Sequence, residues 1–322
     1  MTAPLFLKPY FQEKMWGGKR LKTEFGYEIP SDTTGECWAI SAHPHGPAVI
    51  ENGPYQGLNL AELWQQHREV FGNAKGDVFP LLTKILDARD DLSVQVHPDD
   101  AYALKHEGEL GKTECWYVLA ADEGAEMIYG HHAQTKAELK QLIEAGDWQH
   151  LLRRVPVKAG DFLYVPSGTV HAIGKGIMVL ETQQSSDTTY RLYDFDRVDK
   201  KTGQKRELHL QQSIDVINVP HVDPKLNREV KQVAGIEVTT FVDTDFFKVQ
   251  RWQLAGQAGS LIRNSDEPYT LVSVIAGSGK LTVAGIDYEL QKGQHFILPN
   301  DVKEWQLEGT LTLIASVPGK KA

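Results

Sequence analysis

The sequence predicts a mainly β protein with two related β domains and a few helices added to the first. Glycine and proline recur at short intervals, and the runs between them are rich in valine, isoleucine, leucine and aromatic residues, a pattern typical of β-sandwiches and barrels. An internal repeat supports the second domain. The segment "GDFLYVPSGTVHAI" from Gly160 aligns with "GQHFILPNDVKEWQL" from Gly293, which matches Pro166 to Pro299. Each copy is predicted to form a turn, a strand, a proline-led turn and a second strand.

The repeat also predicts where the domains divide. The segment "NVPHVDPKLNREV" from Asn218 lies between the two copies, so we expect one domain over residues 1–225 and a second over residues 226–322. His171 of the first copy aligns with Glu304 of the second, and "YTLVSVIAGSGKLTVAGIDYEL", just before the second copy, contains no histidine. Any metal site should therefore lie in the first domain, and the second should be a degenerate copy with a structural or covering role.

Two segments have helical rather than strand periodicity. "LNLAELWQQHREVF" places Leu60, Leu63 and Trp64 on one face of a helix. "TKAELKQLIEAGDWQHLL" begins with Thr135 and has Glu138 three residues later, which predicts a capping box at the start of a second helix. Helices are thus expected as additions to a β framework.

Composition excludes several classes of partner. The chain has 34 basic and 43 acidic residues, a net charge of −9, and no block of basic residues, which argues against nucleic acid or anionic membrane but leaves an anionic small molecule open. The start of the chain is interrupted by prolines and charges, and no apolar run approaches the roughly 18 residues of a membrane helix. Cys37 and Cys115 lie in hydrophobic segments, so we expect two free core thiols in a cytoplasmic protein.

Three β segments carry polar residues among apolar ones. In "LSVQVHPDD" the alternation of a strand places Ser93, Gln95 and His97 on the face opposite three apolar side chains. The same alternation in "TECWYVLA" directs Glu114 to one face, and His171 enters a further strand after a Pro-Ser-Gly turn. Separate strands of a barrel can assemble a site in this way. Two imidazoles, a carboxylate and an amide oxygen suit zinc, and other divalent first-row ions less selectively.

Other histidines are less persuasive as ligands. His43 and His45 in "HPHG" have ligand-like spacing but lie between two prolines without a carboxylate partner. His131 and His132 follow a glycine. We expect both pairs to lie in loops, the second pair in an exposed turn.

Several longer motifs extend the pattern: "KMWGGKRL", "GECWAISAHPHGP", "FPLLTKILDARDDLSVQVHPDD", "GKTECWYVL", "VPSGTVHAIGKG" and "ETQQSSDTTYRLYDFDR". They resemble the type I phosphomannose isomerases of the cupin superfamily, in the shorter bacterial form. The resemblance covers the first two thirds of the chain well and the remainder only as a degenerate second cupin. It implies two cupin-type (jelly-roll) β-barrels, one bound zinc ion, and interconversion of the sugar phosphates mannose 6-phosphate and fructose 6-phosphate.

The resemblance also implies roles for particular residues. Its zinc ligands fall on the four residues already singled out by type and alternation: Gln95, His97, Glu114 and His171. It further implies that Lys84 and Ser93 bind substrate and that catalysis involves Lys112, Asp187 and Arg191.

The chemistry of an aldose–ketose isomerase gives these residue types a purpose. A proton moves between C2 and C1 through an enediol, so the enzyme needs a base and an electrophile for the developing oxyanion. Lys112 lies two residues before Glu114 and so faces the same side, and both Lys112 and Asp187 remain contenders for the base. Arg191 and one or both lysines suit a phosphate.

Purely structural roles for three of these residues also remain possible. Lys84 could extend from a strand edge, Asp187 could cap a turn, and Arg191 could pair with Asp194 or Asp196 at the surface. At the level of the whole protein, a cupin oxygenase with iron and a non-catalytic sugar-phosphate-binding cupin are the alternatives. The glutamine ligand argues against the first, and the complete set of ligands argues against the second. The sequence makes no prediction of oligomeric state.

Overall fold

A computed structural model describes residues 3–199 and 202–321, and the chain is mainly β as predicted. The strands of the first part are β1 Leu5–Lys8, β2 Tyr10–Gly18, β3 Thr34–Ile40, β4 Val49–Ile50, β5 Leu81–Ala88, β6 Val94–Val96, β7 Glu114–Ala121, β8 Glu126–His131, β9 Leu152–Pro156, β10 Phe162–Val165, β11 His171–Ala172, β12 Ile177–Gln184 and β13 Tyr190–Tyr193. Those of the second part are β14 Glu229–Val233, β15 Ile236–Asp243, β16 Phe247–Ile262, β17 Thr270–Val283, β18 Ile286–Gln291, β19 His295–Leu298 and β20 Glu304–Pro318.

Among the residues that the structure describes, the helices all belong to the first part of the chain, as predicted. They are α1 Arg20–Phe25, α2 Leu60–Gln66, α3 Asp100–His106, α4 Lys136–Ala145, α5 Trp148–Leu151 and α6 Leu210–Val216, with short 3-10 helices at Gly53–Tyr55 and Arg68–Phe71. In the residues that the structure describes, no helix is long and apolar enough to span a membrane.

The strands form three antiparallel sheets. A six-stranded sheet has the order β10-β7-β12-β5-β2-β3, and a five-stranded sheet has the order β13-β6-β11-β8-β9. The C-terminal strands form a nine-stranded sheet of order β14-β15-β16-β20-β17-β19-β1-β4, with β18 paired to β17. The six- and five-stranded sheets touch through Trp116 of β7 and His171 of β11, whose rings are 5.3 Å apart between centroids. This contact marks the place where the candidate site lies.

The two parts of the chain are interwoven. Strand β1 from the start of the chain pairs with β19, with Leu5 opposite Ile297, and the same strand pairs on its other edge with β4. One hydrophobic core includes residues of both parts, such as Trp64, Phe247 and Ile314. The division at residue 225 therefore stays a prediction, and the C-terminal sheet is completed by N-terminal strands.

The internal repeat has the predicted form in both copies. Gly160 and Gly293 precede β10 and β19 with φ of 87° and 92°, a conformation that favours glycine. After the proline-led turn, His171 begins β11 and Glu304 begins β20. The two copies share a backbone plan and differ in the side chain at the start of the second strand.

The predicted helices form, with one difference in capping. Asn59 and Glu62 make a reciprocal capping box at the start of α2. At the start of α4, Thr135 accepts a hydrogen bond from the Glu138 N–H at 3.1 Å, but the Glu138 carboxylate accepts from the N–H of Gln134 rather than of Thr135. The predicted box is thus only half formed, because the glutamate reaches one residue further back along the chain.

Two further expectations can be compared with the structure. Cys37 and Cys115 are buried free thiols, as predicted. The prediction for His131 was wrong: it ends strand β8 and is buried, with its Nε2 atom 2.9 Å from the carbonyl of Asn218. The linker that follows α6 covers this ring, and such a distant contact leaves no local signal in the sequence.

Candidate active site and metal centre

The four predicted ligands lie together between the two smaller sheets. His171 on β11 is directly opposite Gln95 on β6, and Glu114 begins β7 in the facing sheet. One ligand atom from each of His97, Glu114 and His171 lies within 4.8 Å of the others, and all three residues are buried. The amide nitrogen of Gln95 is 3.3 Å from Nε2 of His171. The fold thus brings one amide, two imidazoles and one carboxylate to a single point.

Main-chain carbonyls orient both imidazoles. Nδ1 of His97 is 2.9 Å from the Thr188 carbonyl, and Nδ1 of His171 is 2.9 Å from the Thr169 carbonyl. A carbonyl only accepts, so each Nδ1 carries the proton and each Nε2 keeps a lone pair. The two Nε2 atoms lie 3.4 and 3.3 Å from the oxygens of Glu114.

Burial keeps both imidazoles neutral. It lowers the pKa of His97 to about 3, with the nearby Lys112 cation adding to the effect. Burial also lowers the pKa of His171, although the Glu114 carboxylate opposes it. Neutral imidazole is the form that binds a metal ion, so the pair is ready to act as ligands near neutral pH.

Lys112 is part of this cluster. Its Nζ lies 2.7 Å from Oε2 of Glu114 and 2.9 Å from Nε2 of His97, and the side chain is buried. Burial raises the pKa of Glu114, but the Lys112 cation opposes it, and the net pKa lies well below its usual range. The prediction that Lys112 and Glu114 face the same side is confirmed.

Lys84 forms a second buried charged cluster with Glu36 and Glu181. Lys84 is buried in β5, not at a strand edge, and its Nζ is 3.9 Å from both Glu36 and Glu181 and 4.4 Å from the centre of the Trp38 ring. Burial raises the pKa of Glu181 to about 7, and the negative charge of Glu114 adds to this rise. A carboxyl group that titrates near neutrality is typical of a catalytic site.

A cavity of about 320 Å³ opens above these residues. Its walls include six of the predicted residues: Lys84, Ser93, Gln95, Lys112, Asp187 and Arg191. They also include residues that sequence reasoning missed: Lys14, Glu36, Trp116, Glu181 and Arg206. Five cationic side chains face three carboxylates in this lining, in a protein whose net charge is −9. The size and the local positive charge suit a small anionic ligand.

Arg191 lines the cavity, and its hydrogen bond goes to a main-chain carbonyl and not to Asp194 or Asp196. Arg191 donates from Nη1 to the Glu207 carbonyl at 2.8 Å. The Asp194 carboxylate instead accepts two hydrogen bonds from Arg206, at 2.8 and 2.6 Å, and one from Arg197. Arg191 and Arg206 are therefore held at the cavity wall by different partners.

Asp187 lies in the turn between β12 and β13. Its carboxylate is 3.1 Å from Nδ1 of His45. Burial raises the pKa of Asp187, but Lys84 and His45 outweigh it, so the net pKa is lowered. The "HPHG" segment does form a loop, as predicted, yet His43 is buried in it and His45 meets the wall of the cavity.

The sequence around Glu36 and Glu181 does contain a pattern that could have identified them as site residues. Glu36 in "GECWAI" and Glu181 in "VLETQQ" are single carboxylates in apolar strands, the same pattern that identified Glu114. Each accepts a hydrogen bond from a tryptophan Nε1, Trp38 for Glu36 at 2.6 Å and Trp116 for Glu181 at 2.9 Å. By contrast, Arg206 lies in a charged, irregular stretch that has no such pattern.

Fold and site together define a cupin-type β protein with a buried cluster that could bind a metal ion beneath a cation-lined cavity. Residues 5–119 match the family model "Phosphomannose isomerase type I, catalytic domain", and residues 237–318 match "Mannose-6-phosphate isomerase, cupin domain". The mannose-6-phosphate isomerase of Streptococcus mutans is 61% identical over 98% of each chain. The mannose-6-phosphate isomerase ManA of Bacillus subtilis is 54% identical over 98% of this chain and 99% of its own.

Structural similarity agrees with these matches. The crystal structure of mannose 6-phosphate isomerase from Bacillus subtilis superimposes with a TM-score of 0.94 at 53% identity, covering 98% of this chain and 99% of that one. The chain belongs to the mannose-6-phosphate isomerase family. The family predicted from the motifs is thereby confirmed, and the second family match falls in the degenerate copy of the repeat.

Proposed function

We propose that this chain interconverts mannose 6-phosphate and fructose 6-phosphate, with one zinc ion held by Gln95, His97, Glu114 and His171. The observation that carries the proposal is the convergence of these four side chains beneath a cation-lined cavity, in a member of this family. Residues 1–225 would contain the site, and residues 226–322 would support it. The two free buried thiols favour the cytoplasm as the place of action.

The donor set fits the metal. Two neutral imidazoles with free Nε2 lone pairs, one ionised carboxylate and one amide oxygen form a mixed nitrogen and oxygen set that suits zinc and, less selectively, other divalent ions. The hydrogen bonds from each Nδ1 to a main-chain carbonyl are the outer contacts expected around a metal-binding histidine. When bound, the ion would polarise the carbonyl and hydroxyl oxygens of the sugar as a Lewis acid.

The electrostatics favour Glu181 as the group that moves the carbon-bound proton. Burial lowers the pKa of Lys112, but the carboxylates of Glu114 and Glu181 outweigh it, so the pKa is raised and the amine stays protonated. Asp187, with its lowered pKa, is a weak base. Glu181 lines the cavity, and burial, the largest cause of its raised pKa, acts whether or not a metal ion offsets the charge of Glu114. This carboxylate is therefore suited to accept a proton from C2 and return it to C1 through an enediol-type intermediate.

The cationic side chains of the cavity would then stabilise negative charge on the oxygens of the substrate. Lys112 and Arg191 stabilise negative charge that develops on the sugar oxygens or rests on the phosphate. Ser93 and Asp187 line the same cavity and can orient hydroxyl groups. Lys84 contributes charge from beneath, where it also holds Glu181 in place.

A coupled assay of fructose 6-phosphate formation from mannose 6-phosphate tests the proposal. Activity should disappear on chelation and return with zinc. His171→Ala should lose both metal and activity, whereas the matched variant Glu304→Ala, at the equivalent position of the second copy, should keep both. A zinc-loaded protein without activity would refute the reaction, and activity that survives chelation would refute the role of the metal.

A further inference from the structure

The loop that connects β12 to β13 sets the orientation of one predicted ligand. Thr188 in this loop places its carbonyl 2.9 Å from Nδ1 of His97. That contact keeps the proton on Nδ1 and leaves the Nε2 lone pair facing Glu114. The position of the loop backbone therefore determines the orientation and the tautomer of the His97 ring.

One carboxylate outside the cavity accepts three hydrogen bonds from this loop. Oε2 of Glu109 lies 3.2 Å from Oγ of Ser186, 3.3 Å from the main-chain nitrogen of Asp187 and 3.0 Å from Oγ1 of Thr188, and accepts a hydrogen bond from each. Glu109 lies in the connection between α3 and β7. It does not line the cavity of the candidate site.

The "HPHG" segment contacts both Glu109 and the same loop. Nε2 of His43 is 3.7 Å from Oε1 of Glu109, and Nδ1 of His45 is 3.1 Å from Oδ2 of Asp187. His43 is buried against the Trp38 ring, at 5.5 Å between centroids. The loop is thus held between two segments that are distant from each other in sequence.

Loss of the Glu109 carboxylate would release three donors at once. The loop would then keep contacts such as the hydrogen bond from Gln183 Nε2 to the Ser186 carbonyl at 2.7 Å, but Thr188 would lose its side-chain anchor. Its carbonyl would hold the His97 ring less firmly in one orientation and one tautomer. We propose that Glu109 is a positioning residue for the metal centre, acting through the Ser186–Thr188 loop on His97. This inference rests on the proposed function, because it assumes that His97 is a metal ligand.

Metal affinity is the direct readout. The Zn²⁺ dissociation constant of the full chain can be measured by competition with a chromophoric chelator. Glu109→Ala should weaken Zn²⁺ binding by about 10-fold, the lower end of the range expected for loss of an outer contact of a metal ligand, because the Thr188 carbonyl that contacts His97 is displaced rather than removed. Glu109→Gln should lose less, since its amide oxygen still accepts hydrogen bonds but lacks the charge.

Two further variants separate positioning from general stability. Thr188→Val removes one donor to Glu109, so its effect on Zn²⁺ binding should be smaller in a Glu109→Ala background than in the parent. Glu107→Gln is the matched control: Glu107 lies two residues away, accepts from the Tyr190 hydroxyl at 2.7 Å, and should leave Zn²⁺ binding unchanged.

The outcomes distinguish this inference from the proposed function. A parent protein that binds no Zn²⁺ would refute the metal site itself. A parent that binds Zn²⁺ while folded Glu109→Ala binds it equally well would overturn the role of Glu109. If Glu109→Ala does not fold, Glu109→Gln decides: an unchanged dissociation constant combined with a lower unfolding midpoint of the metal-free protein would reduce Glu109 to a purely structural residue.

Discussion

Replacing Glu181 with glutamine should make the metal-free protein less sensitive to rising pH. Glu181 is buried, and its pKa is raised to about 7 by that burial and by the charge of Glu114. The folded protein therefore prefers the protonated carboxyl group, whereas the unfolded chain ionises it near the ordinary value of 4.5. The free energy of unfolding falls as pH rises from 4.5, the pKa of Glu181 in the unfolded chain, to about 7, its pKa in the folded protein. Above that pH the contribution of Glu181 is constant. Glutamine resembles the protonated form and does not titrate.

The magnitude follows from the two pKa values. At 1.36 kcal/mol per pKa unit, the difference between 4.5 and about 7 corresponds to a penalty of about 3 kcal/mol once both states are ionised. Part of it is already present at pH 5, so between pH 5 and pH 8 the parent should lose about 2 kcal/mol relative to Glu181→Gln. A cation bound at Glu114 would offset its charge and reduce this effect.

Urea unfolding in the presence of chelator, at pH 5, 6.5 and 8, measures this difference because the other titrating groups are common to both proteins. Glu36→Gln is a matched control: Glu36 is buried, lies 3.9 Å from the same Lys84 amine, and accepts a hydrogen bond from Trp38. Burial raises the pKa of Glu36, but Lys14 and Lys84 outweigh it, so the net pKa is lowered. Its stabilisation is lost only as pH falls below the ordinary value, so this variant should keep the pH dependence of the parent between pH 5 and 8.

Parallel stability curves for the parent and Glu181→Gln would refute the reasoning about Glu181. Equal flattening by Glu36→Gln would show that the pH dependence comes from the shared lysine and not from the environment of one carboxyl group. Zinc added back to the parent should weaken the pH dependence.

Three other substitutions test separate parts of the structure. Asn59→Ala removes a capping box and should lower the free energy of unfolding by about 1 kcal/mol in urea titrations. Tyr27→Phe removes a hydroxyl that contacts the Gly293 carbonyl at 2.8 Å and the buried His295 ring at 2.7 Å, and should cost about 1 to 2 kcal/mol in the same measurement. Lys84→Met removes a cation that lowers the pKa of Glu181, so the acid limb of the pH profile of kcat/KM should move to higher pH.

The site residues that could be predicted from the sequence are those whose strand face follows from the alternation of apolar and polar side chains. Gln95 and His97, two residues apart, and Glu114 within "TECWYVLA" can be assigned to faces from the local sequence alone. The structure confirms the alternation, since Trp116 and Val118 pack in one core and Cys115 packs in another. Such information needs no knowledge of which strands are neighbours.

The unpredictable part depends on strand register. Lys84 lies opposite Glu181 on one side and opposite Trp38 on the other, and Glu181 in turn lies opposite Trp116. None of these pairs is close in sequence, so the raised pKa of Glu181 could not be foreseen from composition or spacing. Glu109 was missed for the same reason, because its partners lie about 80 residues further along the chain.

The second copy of the repeat shows that this turn does not by itself create a ligand. Glu304 begins β20 as His171 begins β11, but it is exposed and lies opposite Ile262 at a sheet position open to solvent. The turn before it is held by the buried Arg263 guanidinium, which donates to the carbonyls of Leu298, Pro299 and Val302 at 2.9 to 3.1 Å. A protein cation thus stabilises the second turn from within. Glu304→His should consequently add no Zn²⁺ site in a chelator competition, because a binding histidine also needs a facing strand that supplies a buried carboxylate.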